Sequence, residues 1–363
     1  MSGLTIVGMS GGVDSAVAAA MLRREGREVH GLFMSNWEED EAGYCTSAED
    51  FQDARRVCER LGLPLHRVSF ARDYRDRVFE HFLEEYAAGR TPNPDVLCNR
   101  EIKFGVCLQY ARRLGASAFA TGHYARISRD GDRPRLLRGL DPGKDQSYFL
   151  QAVSADQLAQ AVFPLGSLHK SEVRRLAADL GLPVHAKRDS TGVCFIGERP
   201  FREFLQGYLP AQPGLIRDLE SSKVLGEHAG LMFYTVGQRS GLGLGGQRGG
   251  SGSAWYVAHK VLATNELVVV QGAHHPALYH RALQTARMHW ISGQAPGDDF
   301  EAEVQVRHRQ AAVACQVRMD EAGRARVVLA RPERGIAPGQ YAALYADQEC
   351  LGGGVIESAD VQA

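Results

Sequence analysis

No apolar run in the chain approaches the ~18 residues that a bilayer crossing needs. The opening stretch, MSGLTIVG, carries no basic segment and no cleavage site, so a secretory leader is not expected and the cytoplasm is the expected compartment. None of the 7 cysteines belongs to a C-x-x-C pair, which argues against a structural zinc site. Their odd number argues against a secreted disulfide framework; thiols in such a chain stay reduced at rest and any disulfide is transient. Net charge is only −1, so total charge announces no polyanion partner. There is no internal repeat. What remains is an ordinary globular composition, 44% hydrophobic and 23% charged, and a length of 363 residues that calls for two or three domains.

The charge is unevenly placed. Nine Lys/Arg face three Asp/Glu between Arg100 and Arg138, whereas three face nine between Arg23 and Asp53. A solvated face accounts for such runs in most proteins. A basic stretch would also suit an RNA backbone, in which case Arg126 and Arg129 are expected to contribute to the salt dependence of binding.

The first third alternates strand and helix signals. LTIVGM, EVHGLFM, PLHRVSF and SAFATGH read as strands; helices are expected from Val13, from Ser47, over about 74–88 and from about Glu101 to Leu114. GRTPNPDVLCN, between the last two helices, reads as irregular. This alternation implies a parallel sheet covered on both faces, with ligands at the carboxyl ends of its strands. Residues 141–198 are mostly helical, and GQRSGLGLGGQRGGSGSAW is a glycine-rich loop. From Tyr279 onward short alternating segments (AEVQVRH, AVACQVRM, ARVVLA, QYAALYA, CLGGGVI) fit a small β-barrel. The expected division is an α/β catalytic domain over 1–200, a central domain over 201–278 and a C-terminal β-barrel over 279–363.

SGGVDS at 10–15 follows the first strand. It lacks the lysine of G-x-x-x-x-G-K-[ST] and the spacing of G-x-G-x-x-G. Gly11 and Gly12 let backbone N–H groups converge, and the helix from Val13 adds its positive end. Ser10 and Ser15 can donate to phosphate; Asp14 can hold a magnesium ion or cap the helix. An anion nest and a tight turn are equally open on these residues alone. On the nest reading, Gly11→Val is expected to weaken ATP binding and leave the fold intact. Cys98 stands just before the helix expected near Glu101, where a helix N-terminus with Arg100 and Lys103 favours thiolate. Cys194 lies in a second loop between Gly192 and Gly197. Neither falls on an apolar stripe. Cys58, Cys107 and Cys315 do, and are expected in cores; Cys350 is expected to be structural and Cys45 is ambiguous.

SGGVDS after a first strand resembles the loop of the PP-loop ATP pyrophosphatases. GMSGGVDS, GLFMSNWEED, GRTPNPDVLCNREIKF, ATGHYAR, GLDPGKDQSYFL, DSTGVCFIGERPFREFL, GEHAGLMFYTVGQRSGLG and CLGGGVI together resemble the signature blocks of the tRNA-specific 2-thiouridylases, from position 8 to about 356. The resemblance implies an N-terminal PP-loop ATPase domain and ATP-dependent 2-thiolation of the wobble uridine of tRNA, with Mg²⁺ accompanying ATP and a persulfide-bearing protein donating sulfur. It makes Gly8, Met9, Ser10, Gly11, Gly12, Val13, Asp14 and Ser15 the ATP loop, with Met34 and Gly122 at the adenosine. Cys98 becomes the nucleophile, Cys194 the persulfide carrier and Asp95 the acid/base residue. Asn93, Pro94 and Asp95 would touch the target base; His123, Lys144, Asp145, Gln146, Arg307, His308 and Gln340 would meet tRNA. His308 stands where some members have tyrosine. Direct attack by the persulfide and prior release of hydrosulfide by Cys98 are both compatible with the sequence. Two rival readings are a PP-loop enzyme adenylating a small metabolite and a non-catalytic nucleotide- or RNA-binding module.

Overall fold

The computed structural model describes residues 3–37, 47–189, 200–244 and 253–361. Strand β1 (Thr5–Gly8) is the middle of a five-stranded sheet ordered β3-β2-β1-β4-β7, with β2 Val29–Ser35, β3 Leu65–Ser69, β4 Ala118–Ala120 and β7 Ala161–Val162. All its pairings are parallel. Ile6 and Val7 are fully buried, as expected of a strand with both faces covered. The chain fills β2 and β3 on one side of β1, then returns to β4 and β7 on the other. The carboxyl ends of β1 and β4 therefore flank the point where strand order reverses, the place where open α/β sheets bind ligands.

Four helices carry the catalytic domain's packing: α1 (Val13–Arg24), α2 (Ser47–Leu61), α3 over 71–87 and α4 over 94–113. Ala16, Ala18 and Ala19 of α1 are fully buried, and their small side chains bring the helix axis close to the sheet. Both α3 and α4 contain turns wound in π register, Arg75–Phe79 and Cys98–Cys107.

The start of α4 corrects the sequence reading. Asn93 caps it, its Oδ1 accepting the Asp95 N–H at 3.2 Å, and Pro94 fills the first helical position, where a missing N–H costs nothing. The helix thus begins two turns before Glu101. Cys98 lies within it, on a buried face shared with Ile102, Cys107 and Ala111, rather than in a loop ahead of it.

A hairpin of β5 (Ala125–Ser128) and β6 (Arg135–Arg138) leaves the catalytic domain after β4. Three short helices follow: α5 (Ser147–Leu150), α6 (Ala155–Ala159) and α7 (Lys170–Asp179), and α7 packs on α1 through Val173 and Ala177. After α8 (Phe201–Gln206) the central domain forms a four-stranded sheet ordered β10-β11-β8-β9, from β8 Gly214–Asp218, β9 Val224–His228, β10 Trp255–Val261 and β11 Glu266–Gln271. The C-terminal strands are β12 Tyr279–Arg287, β13 His289–Trp290, β14 Asp299–Gln305, β15 Val313–Met319, β16 Arg324–Arg334, β17 Tyr341–Ala346 and β18 Glu349–Val361. The order β12-β16-β15-β14-β17-β18 closes through β12–β18 pairing, so the expected barrel is present. Strand β18 also accepts β6, Cys350 opposite Leu136, so the catalytic domain's hairpin extends the barrel sheet. No helix among the described residues is long and apolar enough to cross a membrane.

Candidate active site

The Ser10–Ser15 loop closes on itself. Ser15 Oγ donates to the Gly12 carbonyl at 3.2 Å and accepts the Ser10 N–H at 3.2 Å, and the Ser10 and Ser15 hydroxyls are 3.2 Å apart. Gly11 has φ +74°, which L side chains rarely adopt, and a Cβ there would run into the Asp50 carbonyl. Gly11 is therefore required by the turn and its packing, and the expectation that Gly11→Val spares the fold is corrected. Gly12 differs. Its extended backbone (φ −96°, ψ 169°) admits any residue, and among the described residues a Cβ would meet only Ser10 Oγ at 3.4 Å. It lies where the first N–H groups of α1, which have no acceptor within the helix, emerge.

Gly122, after β4, packs against this turn. A Cβ on it would lie 2.8 Å from the Asp14 carbonyl carbon and from Ser15 N, so only glycine permits the approach. Tyr124 OH donates to Asp14 Oδ1 at 2.8 Å. Lys170 Nζ reaches both Asp14 oxygens, at 2.7 and 2.9 Å, and Asp189 Oδ1 at 2.8 Å. Asp189 also receives Lys144 at 2.6 Å and Arg174 at 2.8 Å. Burial raises its pKa, but hydrogen bonds from Lys144 and Lys170 outweigh that and hold it at about 2. A single carboxylate thus serves three cations beside the Ser10–Ser15 loop.

Asp14 is engaged by a cation of the chain itself. Lys170 occupies both of its oxygens, and no group of three or more His, Cys, Asp or Glu able to hold a metal occurs among the described residues.

Met9 is buried and Met34 half-buried toward the carboxyl end of β2. His123 is 7% exposed, with Nδ1 2.6 Å from Thr121 Oγ1 and its ring 6.0 Å from Phe104 and 5.7 Å from Phe163. Burial, with Lys103 adding to it, drives its pKa well below the usual 6.5, so the ring is neutral. Asp95 is half-buried; burial raises its pKa while Lys103 and His308 pull the other way. Cys98 is 3% exposed. Cys194 lies outside the described residues, as does Cys45.

The residues expected at tRNA are largely engaged within the chain. Asp145 Oδ1 accepts the Gly139 and Ser147 N–H groups, at 2.8 and 3.1 Å, and Gln146 Oε1 accepts the Tyr124 N–H at 3.0 Å. His308 Nε2 donates to the Asp145 carbonyl at 3.2 Å, with its ring 4.3 Å from Phe149. Arg307 donates to the Gly335 carbonyl at 3.0 Å and Gln340 to the Thr91 carbonyl at 2.8 Å. Cys58, Cys107, Cys315 and Cys350 are all buried, as expected.

Sequence reasoning missed Lys170, Asp189 and Tyr124. Lys170 did leave a signal. It occupies the first position of α7, where the helix dipole disfavours a cation, so an anion must compensate it.

Comparison with known proteins supplies the remaining findings. Residues 4–198 match the family described as the tRNA methyl transferase HUP domain, 202–271 the tRNA methyl transferase PRC-barrel domain, and 280–356 the aminomethyltransferase beta-barrel domain. The chain is 56% identical over 355 residues to the tRNA-specific 2-thiouridylase MnmA of Methylococcus capsulatus, covering 97% of this chain and 95% of that protein. It is 55% identical to the protein of the same name from Chromohalobacter salexigens (97% and 92% covered) and 52% identical to that from Hahella chejuensis (97% of each).

Proposed function

Since the chain belongs to the tRNA-specific 2-thiouridylase family, we propose that it spends ATP to replace the C2 oxygen of the wobble uridine of tRNA with sulfur. The observation that carries this reading is the segment Thr121–Tyr124, which touches both halves of the machinery. Gly122 packs on Asp14 and Ser15 and Tyr124 bonds Asp14, while the His123 ring meets Phe104 of the helix that bears Cys98.

Uracil O2 is a poor leaving group. Transfer of AMP to it makes a good one and expels pyrophosphate, whose charge the N–H groups of α1 and the Lys170 ammonium are disposed to receive. Lys170 then exchanges Asp14 for phosphate. Asp95, with its carboxyl pKa raised by burial, is suited to hold and return the proton moved at the base. The terminal sulfur of a Cys194 persulfide attacks C2, and the C2–O bond breaks with AMP leaving. The Cys98 thiolate next attacks Cys194 Sγ, the bond to the transferred sulfur breaks, and its electron pair stays on the new 2-thiouridine. A Cys98–Cys194 disulfide remains, which a dithiol must reduce before a protein persulfide reloads Cys194. Magnesium would arrive with the nucleotide; no residue of this loop is assigned to it. The target base must leave its stack, which is cheapest in an anticodon loop, and the work belongs in the cytoplasm.

Three measurements test the reading: intact-protein mass after incubation with a persulfide donor, tRNA-dependent pyrophosphate release, and 2-thiouridine in the digested tRNA. Cys194→Ser is expected to load no sulfur and make no 2-thiouridine. Cys98→Ser is expected to load sulfur without completing transfer, and both variants should keep tRNA-dependent pyrophosphate release. Thiolation by Cys194→Ser would refute the role assignment. Pyrophosphate release without tRNA would favour a small-metabolite enzyme, and no release at all a binding module.

A further inference from the structure

Thr91 stands two residues before the cap of α4, and each of its polar groups is bonded outside its own domain. Its N–H donates to the Pro338 carbonyl of the barrel at 2.9 Å. Its carbonyl accepts from Gln340 Nε2 at 2.8 Å, and the same amide lies 3.4 Å from the Pro92 carbonyl. Its hydroxyl is 3.1 Å from the Thr235 hydroxyl of the central domain. Two residues upstream, Lys260 of β10 donates to the Gly89 carbonyl at 2.8 Å.

The approach is built into the backbone. Gly339 has φ +91°, and a Cβ there would lie 2.8 Å from Thr91 N; Gly89 has φ +71°, and a Cβ there would strike Leu262. Gln340 is itself fixed, since its N–H donates to the Ala337 carbonyl and its own carbonyl accepts from Ile356. Between Thr91 and Asp95 the chain reads T-P-N-P-D. Two prolines lock their φ angles, and Asn93 is held by its capping bond to the Asp95 N–H. Few torsions remain to absorb a displacement, so wherever Thr91 is placed, Asn93, Asp95 and the Cys98 turn follow.

We propose that Gln340, Thr235 and Lys260 are positioning residues: a clamp from the two non-catalytic domains that acts through Thr91 and Gly89 to set the Asn93–Cys98 segment. The idea rests on the thiolation reading above. It gives Gln340 a task inside the protein, where the family resemblance placed it on RNA. Misplacing a reacting group by about 1 Å can cost on the order of a hundredfold in rate without loosening remote binding.

Gln340→Glu keeps the shape and removes the donor, leaving a carboxylate against two carbonyls. The experiment measures single-turnover 2-thiouridine formation at saturating tRNA and ATP, beside the tRNA Kd by filter binding. The expected result is a rate lowered about tenfold or more with Kd within about twofold of the parent. Thr235→Val should lower the rate in the same way, and Thr235→Ser, which keeps the hydroxyl, should restore it; this pair stands even where Gln340→Glu does not fold. A raised tRNA Kd in Gln340→Glu makes it an RNA contact and overturns the clamp. So does an unchanged rate in both Gln340→Glu and Thr235→Val. The parent protein assayed in parallel separates the two ideas: if it makes no 2-thiouridine, the thiolation reading fails rather than the clamp.

Discussion

Adjacent glycines in the loop do different work, and a substitution reads them apart. Gly11 holds a positive φ beneath the Asp50 carbonyl, so any side chain there strains the turn itself. Gly12 has ordinary extended backbone, and among the described residues a Cβ there would meet only the Ser10 hydroxyl. Gly12→Val should therefore fold and place two methyl groups where an anion would meet the N–H groups of α1. The expected outcome is ATP affinity reduced about tenfold or more by calorimetry, a loss of about 1.4 kcal/mol or more, with the melting temperature close to that of the parent. Lys170→Met is the companion. It leaves Asp14 and Asp189 without their shared cation and should slow tRNA-dependent pyrophosphate release while sulfur loading continues. Unchanged ATP affinity in folded Gly12→Val would return the loop to a structural turn.

At the scale of the element, α4 joins a stability task to a chemical one on the same buried face. Cys107 is fully buried and burial pushes its thiol up to about 12; Cys58 of α2 is also buried, its thiol raised to about 11. Neither is a nucleophile at neutral pH. Cys107→Ala and Cys58→Ala should each cost about 1 kcal/mol through lost packing, seen as a lower urea midpoint, and leave thiolation per folded molecule intact. A loss of thiolation without a loss of stability would put Cys107 into the chemistry. This face also marks the limit of what the sequence disclosed. Parallel strands, the helices from Val13 and Ser47, and the barrel were legible because their apolar periods are regular. The start of α4 was not, because N-P is both a turn signal and a cap followed by proline at the first helical position. Reading it as a turn left Cys98 in a loop and hid the period it shares with Ile102 and Cys107. The β5–β6 hairpin escaped as well: its docking on β18 is a long-range pairing that local pattern does not encode. Lys170 and Asp189, 19 positions apart and both remote from Asp14, meet only in the folded chain.

Across the whole molecule the uneven charge along the chain takes on a different meaning. The basic stretch from Arg100 to Arg138 contains the hairpin that joins the catalytic domain to the barrel, and the hairpin's arginines are engaged there, whereas Arg112 and Arg113 stand exposed on α4. Arg126 donates to the Arg138 carbonyl at 2.8 Å and to Gln348 at 3.3 Å; Arg129 donates to the Ala161 carbonyl at 2.8 Å. Arg133 reaches the Ser292 carbonyl, and Arg138 lies 3.5 Å over the Tyr345 ring and pairs with Glu303 and Asp145. To reach a phosphate, Arg126 or Arg129 would first release bonds worth about 1 kcal/mol each, whereas Lys144, Lys170 and Arg174 already outnumber the Asp189 and Asp14 carboxylates they share. The sequence reading expected Arg126→Ala with Arg129→Ala to flatten the slope of log tRNA affinity against log salt. The bonds these arginines make argue for the opposite outcome. The double variant should keep the parent slope, since no phosphate contact is lost and each lost contact would remove about 0.7–0.9 from it. It should instead lower stability by about 1–3 kcal/mol, because the hairpin loses its hold on the Arg138, Gln348 and Ala161 acceptors. Filter binding at four or five salt concentrations, read beside a thermal melt, decides between them: a flattened slope with an unchanged melt would mean that these guanidiniums leave the barrel for RNA.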